Sequence, residues 1–332
     1  MRGGSSLSEI LGIKFMKQPM MRKVLYALAP IILASVYFFG WRSLLLIIVS
    51  VLFGTLAEWT FKRKSKKPVT EAVFVTAVLY ALTLPPATPF WVAAVGIIFG
   101  VVFGKEAFGG FGRNVFNPAL VGRAFVYVSF PKFLTTEWNM PATGLLGGFG
   151  TYLTPPVDAL STATPLITFR STGQLAEYVD IALGRVSGSL GETSAVLIIL
   201  AGIYLIYTKT ASKETMGGVL LGYLAMSTAF FAMGVSQVPH PLFGLFSGGL
   251  LFGTVFMATD PISSPKSVEA KWIYGILIGA VTVIIRGFAL FAGGIMFAIL
   301  IGNTFAPILD ELVKYLKSRK SAKPGNGGEK VG

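Results

Sequence analysis

Apolar runs of transmembrane length recur along almost the whole chain, and no other feature restricts its fold so severely. A bilayer core offers the backbone no water, so a segment of roughly 17–25 apolar residues inside it must be a helix whose hydrogen bonds close on themselves. Ten such runs are read here, at about 24–40, 42–60, 70–86, 89–104, 115–130, 192–208, 215–235, 242–258, 272–287 and 289–310. Gly and Pro interrupt several of them. The expectation is an all-α integral membrane protein, in keeping with a composition 53% hydrophobic and 13% charged. The first run lies too deep in the chain, and lacks the small-residue cleavage site, of a removable signal peptide.

The net charge of +13 is not a nucleic-acid signal, because the basic residues gather where the runs end. Arg2, Lys14, Lys17, Arg22 and Lys23 precede the first run, and Lys62, Arg63, Lys64, Lys66 and Lys67 follow the second. Lys314, Lys317, Arg319, Lys320, Lys323 and Lys330 sit at the C-terminus. With ten spans all of these fall on one side, together with Lys209, Lys213, Lys266 and Lys271, and the positive-inside rule makes that side cytoplasmic. The connection 131–191 is then external and nearly neutral, with Lys132, Arg170 and Arg185 against Glu137, Asp158, Glu177 and Asp180. The chain divides accordingly: a cytoplasmic segment 1–23, a first membrane repeat 24–130, an outer loop 131–191, a second repeat 192–315 and a tail 316–332. Residues 5–21 are expected to lie on the inner lipid surface as an amphipathic helix, and the tail to be disordered. Glu58 and Asp310 read as span-end residues.

There is no Cys and a single His, His240, between two prolines. This excludes iron–sulfur clusters, Cys-rich zinc sites and bis-His haems ligated within this chain. An electron carrier built from it needs an organic cofactor. His240 reads as a plain loop residue.

Two stretches resemble each other. One opens at Glu71 and closes at Asn117-Pro118-Ala119-Leu120; the other opens at Glu192 and closes at Thr259-Asp260-Pro261-Ile262. By the charge pattern they enter the membrane from opposite sides, so the halves are expected to be inverted repeats with interrupted helices around a midplane site. The plainer reading is that Asn-Pro and Asp-Pro merely cap or kink two helices.

The polar loop carries Asp158-Ala159-Leu160-Ser161-Thr162-Ala163-Thr164, which resembles the sequence a flavin transferase reads before joining FMN, through its phosphate, to a threonine hydroxyl. Thr162 stands where that signal usually has Gly. Ser/Thr/Ala stretches are common in loops, so the rest of the chain has to support this reading. It does so in Gly104-Lys105-Glu106-Ala107-Phe108-Gly109-Gly110-Phe111-Gly112-Arg113-Asn114-Val115-Phe116-Asn117-Pro118-Ala119-Leu120-Val121-Gly122-Arg123 and in Phe256-Met257-Ala258-Thr259-Asp260-Pro261-Ile262-Ser263. Together with the loop, these resemble the RnfD/NqrB family of membrane proteins, shared by two ion-pumping redox complexes: Rnf and the sodium-pumping NADH:quinone oxidoreductase. The resemblance covers nearly all of residues 22–315, and the short stretch before the first span favours the Rnf side.

The resemblance implies FMN on Thr164 as a phosphoester, with Asp158 and Ser161 recognised by the transferase. It implies a second, non-covalent flavin (riboflavin) in the bundle and a ten-helix fold similar to urea transporters. It also implies a bacterial inner-membrane location, with the FMN loop outside and both termini in the cytoplasm. The implied partners are the other Rnf subunits, among them a second FMN-bearing subunit and iron–sulfur subunits. The region around Asn114 and Asn117 is taken as the surroundings of the second flavin, since an Asn amide matches the uracil-like edge of an isoalloxazine. Gly109, Gly110 and Gly112 either allow that approach or simply relieve helix packing.

Glu71, Glu106, Glu192 and Asp260 are the acids expected within membrane depth, as parts of an ion path or as interfacial helix-end residues. Arg113 and Arg123 either pair with them or anchor at the headgroups. The function expected is electron transfer coupled to movement of Na⁺ or H⁺ between ferredoxin and NAD⁺, both of which bind elsewhere, since no dinucleotide fingerprint is present. The competing class is a passive channel or carrier of the same fold, which would be colourless where a flavoprotein is yellow.

Overall fold

The computed structural model describes residues 14–156, 164–192, 194–289 and 293–321. Six of its helices are long and apolar enough to cross a membrane: Pro19–Phe39, Arg42–Arg63, Phe90–Phe108, Lys213–Ala232, Val268–Phe288 and Ile295–Arg319. The first two correspond to α1 (Pro19–Phe39) and α2 (Arg42–Ser65). The other four expected spans are shorter. They are α3 (Ala72–Leu82), α5 (Pro118–Ser129) after the long α4 (Phe90–Gly104), α9 (Ala195–Tyr207), and a broken segment made of α11 (Pro241–Phe246) and α12 (Leu250–Phe252). The last of these runs on as a π turn through Met257. At 1.5 Å per residue, eleven to thirteen residues reach only about 17–20 Å, short of a bilayer core of about 30 Å. Proline and glycine at their ends supply the stops: Pro85 and Pro86 after α3, Pro118 at the first turn of α5, and Gly249 before α12.

The loop between the halves holds α6 (Pro131–Thr135), α7 (Pro165–Thr172) and α8 (Tyr178–Leu183). α10 (Lys213–Ala232), α13 (Val268–Phe288) and α14 (Ile295–Ser321) complete the second half. The chain before α1 is not helical where described. Phe15–Met16 lies as a strand parallel to Val69–Thr70, and the helix begins only at Pro19. This corrects the expected amphipathic helix over 5–21, whose first nine residues lie outside the described ones. Residues 316–321 of the expected tail are helical, since α14 continues to Ser321, and the rest of it lies outside the described residues.

Antiparallel halves are visible in the contacts. α3 starts at Glu71, bound to Arg22 and Gln18 at the foot of α1, and ends at Thr83, whose carbonyl accepts from Arg123 beside Glu192. α12 starts at Gly249, packed on Glu192, and its π turn ends just before Asp260, in a cavity shared with Met20 and Met21. The two short helices therefore run in opposite senses. α3 is followed by Thr83-Leu84-Pro85-Pro86-Ala87-Thr88-Pro89, and the π turn by Thr259-Asp260-Pro261-Ile262-Ser263-Ser264-Pro265. α4 packs on α5 as α13 packs on α14, and Leu120-Val121-Gly122-Arg123-Ala124-Phe125 matches Leu300-Ile301-Gly302-Asn303-Thr304-Phe305.

The mate of Asp260-Pro261 is thus the stretch after Thr83, not Asn117-Pro118 as expected. Asn117 opens α5 as its N-cap, whereas Asp260 follows the end of a helical segment. Proline is accepted both in the first turn of a helix and just beyond its end, so an X-Pro motif alone does not tell the two apart.

Candidate functional site

Thr164 is the N-cap of α7, its Oγ1 accepting from the Ile167 N–H at 3.4 Å, with Pro165 in the first turn. Beside it opens a cavity of about 250 Å³. α5 contributes Leu120, Arg123 and Tyr127; α7 contributes Ile167 and Arg170; Phe252, Met257, Phe297 and Ile299 make apolar walls. Gly248 and Gly249 form part of the floor. Gly249 has φ +67°, and a Cβ there would stand 2.6 Å from the Glu192 carboxyl, so only glycine lets Glu192 close over it.

Charges at this end are unevenly matched. Arg123 Nη1 donates to the Thr83 carbonyl and, at 3.4 Å, to Glu192 Oε1, while its buried Nε finds no acceptor. Arg170 Nη2 donates to the carbonyls of Arg286 and Ala289, both at 2.6 Å, closing the C-terminus of α13. Behind the floor, Arg286 donates to Gly244, Ser247 and Gly248 carbonyls at 2.6–2.9 Å. Among the described lining residues, two arginines face one carboxylate. The charged lining therefore carries one net positive charge.

These features fit the phosphoester that the sequence resemblance implies on Thr164. The positive end of α7 favours a phosphate, although Pro165 has no N–H and the Ile167 N–H already meets Thr164 Oγ1, and the apolar walls suit a flat ring. Asp158 and Ser161 lie outside the described residues.

The other end of the bundle holds a smaller cavity of about 70 Å³, lined among others by Met20, Met21, Lys105, Phe111, Asn114, Asn117 and Asp260. Asn114 and Asn117 are brought together there, but their donors are engaged within the protein. Asn117 Oδ1 caps the Ala119 N–H at 3.0 Å and its Nδ2 reaches the Met257 carbonyl at 3.4 Å. Asn303 accepts from the Asn117 N–H and donates to Ser263 O and the Tyr274 hydroxyl. Asn114 Nδ2 donates to Phe116 O at 3.0 Å. For a flavin edge this leaves the Asn114 side-chain oxygen, since Lys105 Nζ is already held by Glu58 at 2.6 Å and Thr70 at 2.7 Å.

The four acids read as ion-path candidates do not form one cluster. Glu71 is held by Arg22 at 2.5 Å and by the Gln18 N–H at 2.6 Å, tying the strand segment to α3. Glu106 pairs with Lys62 at 3.2 Å, its other oxygen buried without a donor. Glu192 pairs with Arg123, and Asp260 accepts from Ser263 Oγ at 2.7 Å and the Ile262 N–H. Arg113 lies over Gly109. His240 caps α11, its ring edge-on to Phe231.

Two residues read as span ends prove to be partners of distant elements, Glu58 in the interior and Asp310 at the partly exposed end of α13. Glu58 is fully buried, 2.6 Å from Lys105 Nζ, and accepts from Thr70 N–H and Oγ1. Asp310 of α14 accepts from the Lys266 and Ser267 N–H groups, capping α13 from outside. The available signal was a second unexplained charge, Lys105, at the end of an apolar run.

A model of the NQR2, RnfD, RnfE family matches residues 14–318. The chain is similar to the B subunit of the Na(+)-translocating NADH-quinone reductase of Pseudomonas aeruginosa (strain LESB58), 40% identical over 275 residues, 80% of this chain and 65% of that one. It is 37% identical over 310 residues to the protein of the same name from Klebsiella pneumoniae (strain 342), covering 85% of this chain and 71% of that one. It spans just under two thirds of the length of the Pseudomonas relative.

Proposed function

Because the chain belongs to the NQR2, RnfD, RnfE family, we propose that it is the flavin-carrying electron-transfer subunit of an ion-translocating membrane oxidoreductase, with FMN joined through its phosphate to Thr164. It is a multi-pass membrane protein that acts within a complex and not alone. The observation that carries this reading is Thr164 itself, a helix N-cap opening onto a cavity with excess positive charge. When bound, the flavin supplies one- and two-electron transfer.

The residues present do the rest. The start of α7 holds the phosphate charge, with Arg170 nearby on the same helix. The apolar walls exclude water from the ring. Between the two cavities stand Phe252 and Phe256, ring centroids 5.1 Å apart, Phe252 lining one cavity and Phe256 the other. A second flavin in the smaller cavity, near Asn114, would place two redox groups on either side of this aromatic layer. Glu71, Glu106 and Asp260 at that end and Glu192 at the other are the candidates for the ion path. The clustered lysines make the Glu71 end cytoplasmic and put Thr164 on the external face.

Two complexes fit. The Rnf-type reading passes electrons between ferredoxin and NAD⁺; the name of the relatives favours NADH to quinone instead. Assaying the purified complex with each pair separates them.

Thr164 is tested by peptide mass mapping of the chain produced with a flavin transferase. FMN is expected on Thr164, lost in Thr164→Val and retained at least in part in Thr162→Val. Adduct on Thr162 with Thr164 bare overturns the residue, and an unmodified loop overturns the redox reading.

A further inference from the structure

A basic groove of about 550 Å³ opens where the end of α9, the start of α10 and the break before α13 meet. Lys209, Lys213, Lys266 and Lys271 line it, against one carboxylate, Glu214. Lys23 adds a charge beside it, donating to the Thr208 carbonyl at 3.4 Å. The nearest other acids are already engaged: Asp260 by Ser263 Oγ and the Ile262 N–H, Asp310 by the Lys266 and Ser267 N–H groups. Counting these two in full still leaves five lysines against three carboxylates.

The lysines are not consumed inside the protein. Lys266 gives its ammonium to the Pro261 carbonyl, but no ion pair among the described residues includes Lys209, Lys213 or Lys271. Glu214 accepts from Ser212 Oγ at 2.8 Å, within the first turn of α10. Like charges gathered around one hollow attract an anion, more strongly than the same charges spread over a flat surface. Basic residues also collect at membrane faces in general, so charge alone does not choose the ligand.

The surface that leads into the groove does choose it. Met20 and Ile206 are apolar, exposed parts of the lining. From Ile206 the outer face of α9 continues as Ile203, Leu200, Ile199 and Val196, all exposed, at the spacing of a single helical stripe. A soluble anion makes no use of that stripe, whereas an acyl chain lies along it. We propose that the groove binds the phosphate headgroup of an acidic phospholipid, held by Lys213 and Lys271, with an acyl chain against the α9 stripe. Basic pockets between membrane helices take such headgroups, and each lysine close to the phosphate contributes about 1 kcal/mol, a factor of about five in affinity.

Native mass spectrometry of the purified, delipidated full chain measures this, with dioctanoyl phosphatidylglycerol, dioctanoyl phosphatidylcholine and inorganic phosphate as probes. Wild type is expected to hold one phosphatidylglycerol at least about ten-fold more tightly than phosphatidylcholine. Lys213→Gln together with Lys271→Gln is expected to weaken phosphatidylglycerol about 25-fold and leave phosphatidylcholine unchanged. Arginine at both positions keeps the charge and is expected to keep the binding. Lys66→Gln with Lys67→Gln removes the same charge from exposed positions away from the groove, and binding is expected to stand. Equal loss in that control, or unchanged binding in the groove variant, overturns the proposal. So does phosphatidylcholine bound as tightly as phosphatidylglycerol in wild type, a comparison that holds even where the double glutamine variant fails to accumulate. Displacement of the lipid by millimolar phosphate at constant ionic strength makes the groove a soluble-anion site and overturns the lipid.

Discussion

Glu58 and Lys105 show how much a single residue's meaning depends on its partner. Along the chain they are a charge at the end of one apolar run and a charge at the end of another, 47 positions apart. In the fold they form an ion pair of 2.6 Å with both side chains essentially inaccessible, completed by Thr70. Removing one member of such a pair leaves an uncompensated charge, which costs about 3–5 kcal/mol, whereas replacing both with apolar groups is often neutral. Glu58→Leu and Lys105→Met are therefore expected to lower stability singly by about that much, and the double variant to recover most of it. Denaturation of the purified protein in mild detergent measures this, and additive losses would show that the pair is not coupled. Thr164 is proposed for the opposite reason: it was picked out by a contiguous motif that resembles one an enzyme reads along the chain, with no tertiary partner involved.

Among the elements, the long apolar helices were legible from run length, and the short ones were located by it but with their lengths overstated. A run of apolar residues records burial, but α3 and α12 are buried almost wholly by their neighbours, so their lengths are released from the bilayer thickness. Where Pro ends such a run, the chain does not say whether it opens a helix, as Pro118 does, or follows one, as Pro261 does. The glycines have a clearer role once helices are paired. α10 and α13 pack so closely that a Cβ at Gly279 would lie 2.2 Å from the Val219 carbonyl oxygen, and one at Gly222 2.3 Å from the Ile276 carbonyl oxygen. Backbone cannot yield as a side-chain tip does. Gly279→Leu is expected to force these helices apart and cost at least about 3 kcal/mol, the upper end of ordinary overpacking. Thermal unfolding in detergent is the measurement, and an unchanged midpoint would mean that the two helices separate freely.

For the molecule as a whole, the arrangement places the two cavities at opposite ends of the bundle, with α3, α5 and α12 passing from one to the other. The orientation proposed for it is open to a direct check, because the chain has no native Cys. Cysteines introduced at Ser65 and Ser318 are expected to react only with reagents that reach the cytoplasm, and one at Ser171 only with external ones. External labelling at Ser65 would turn the molecule over and put Thr164 on the inner side. By itself the sequence determined the apolar surroundings and the helical class, and it nominated a side for the basic clusters and a threonine for the proposed phosphoester, because each follows from local composition or a contiguous motif. Only the tertiary structure decided which acid meets which base, that Thr83 and not Asn117 mirrors the Asp260 break, and that Arg123 pairs with Glu192 beside the Thr164 cavity. Those are distances between groups remote in the chain, and they exist only once the helices have packed.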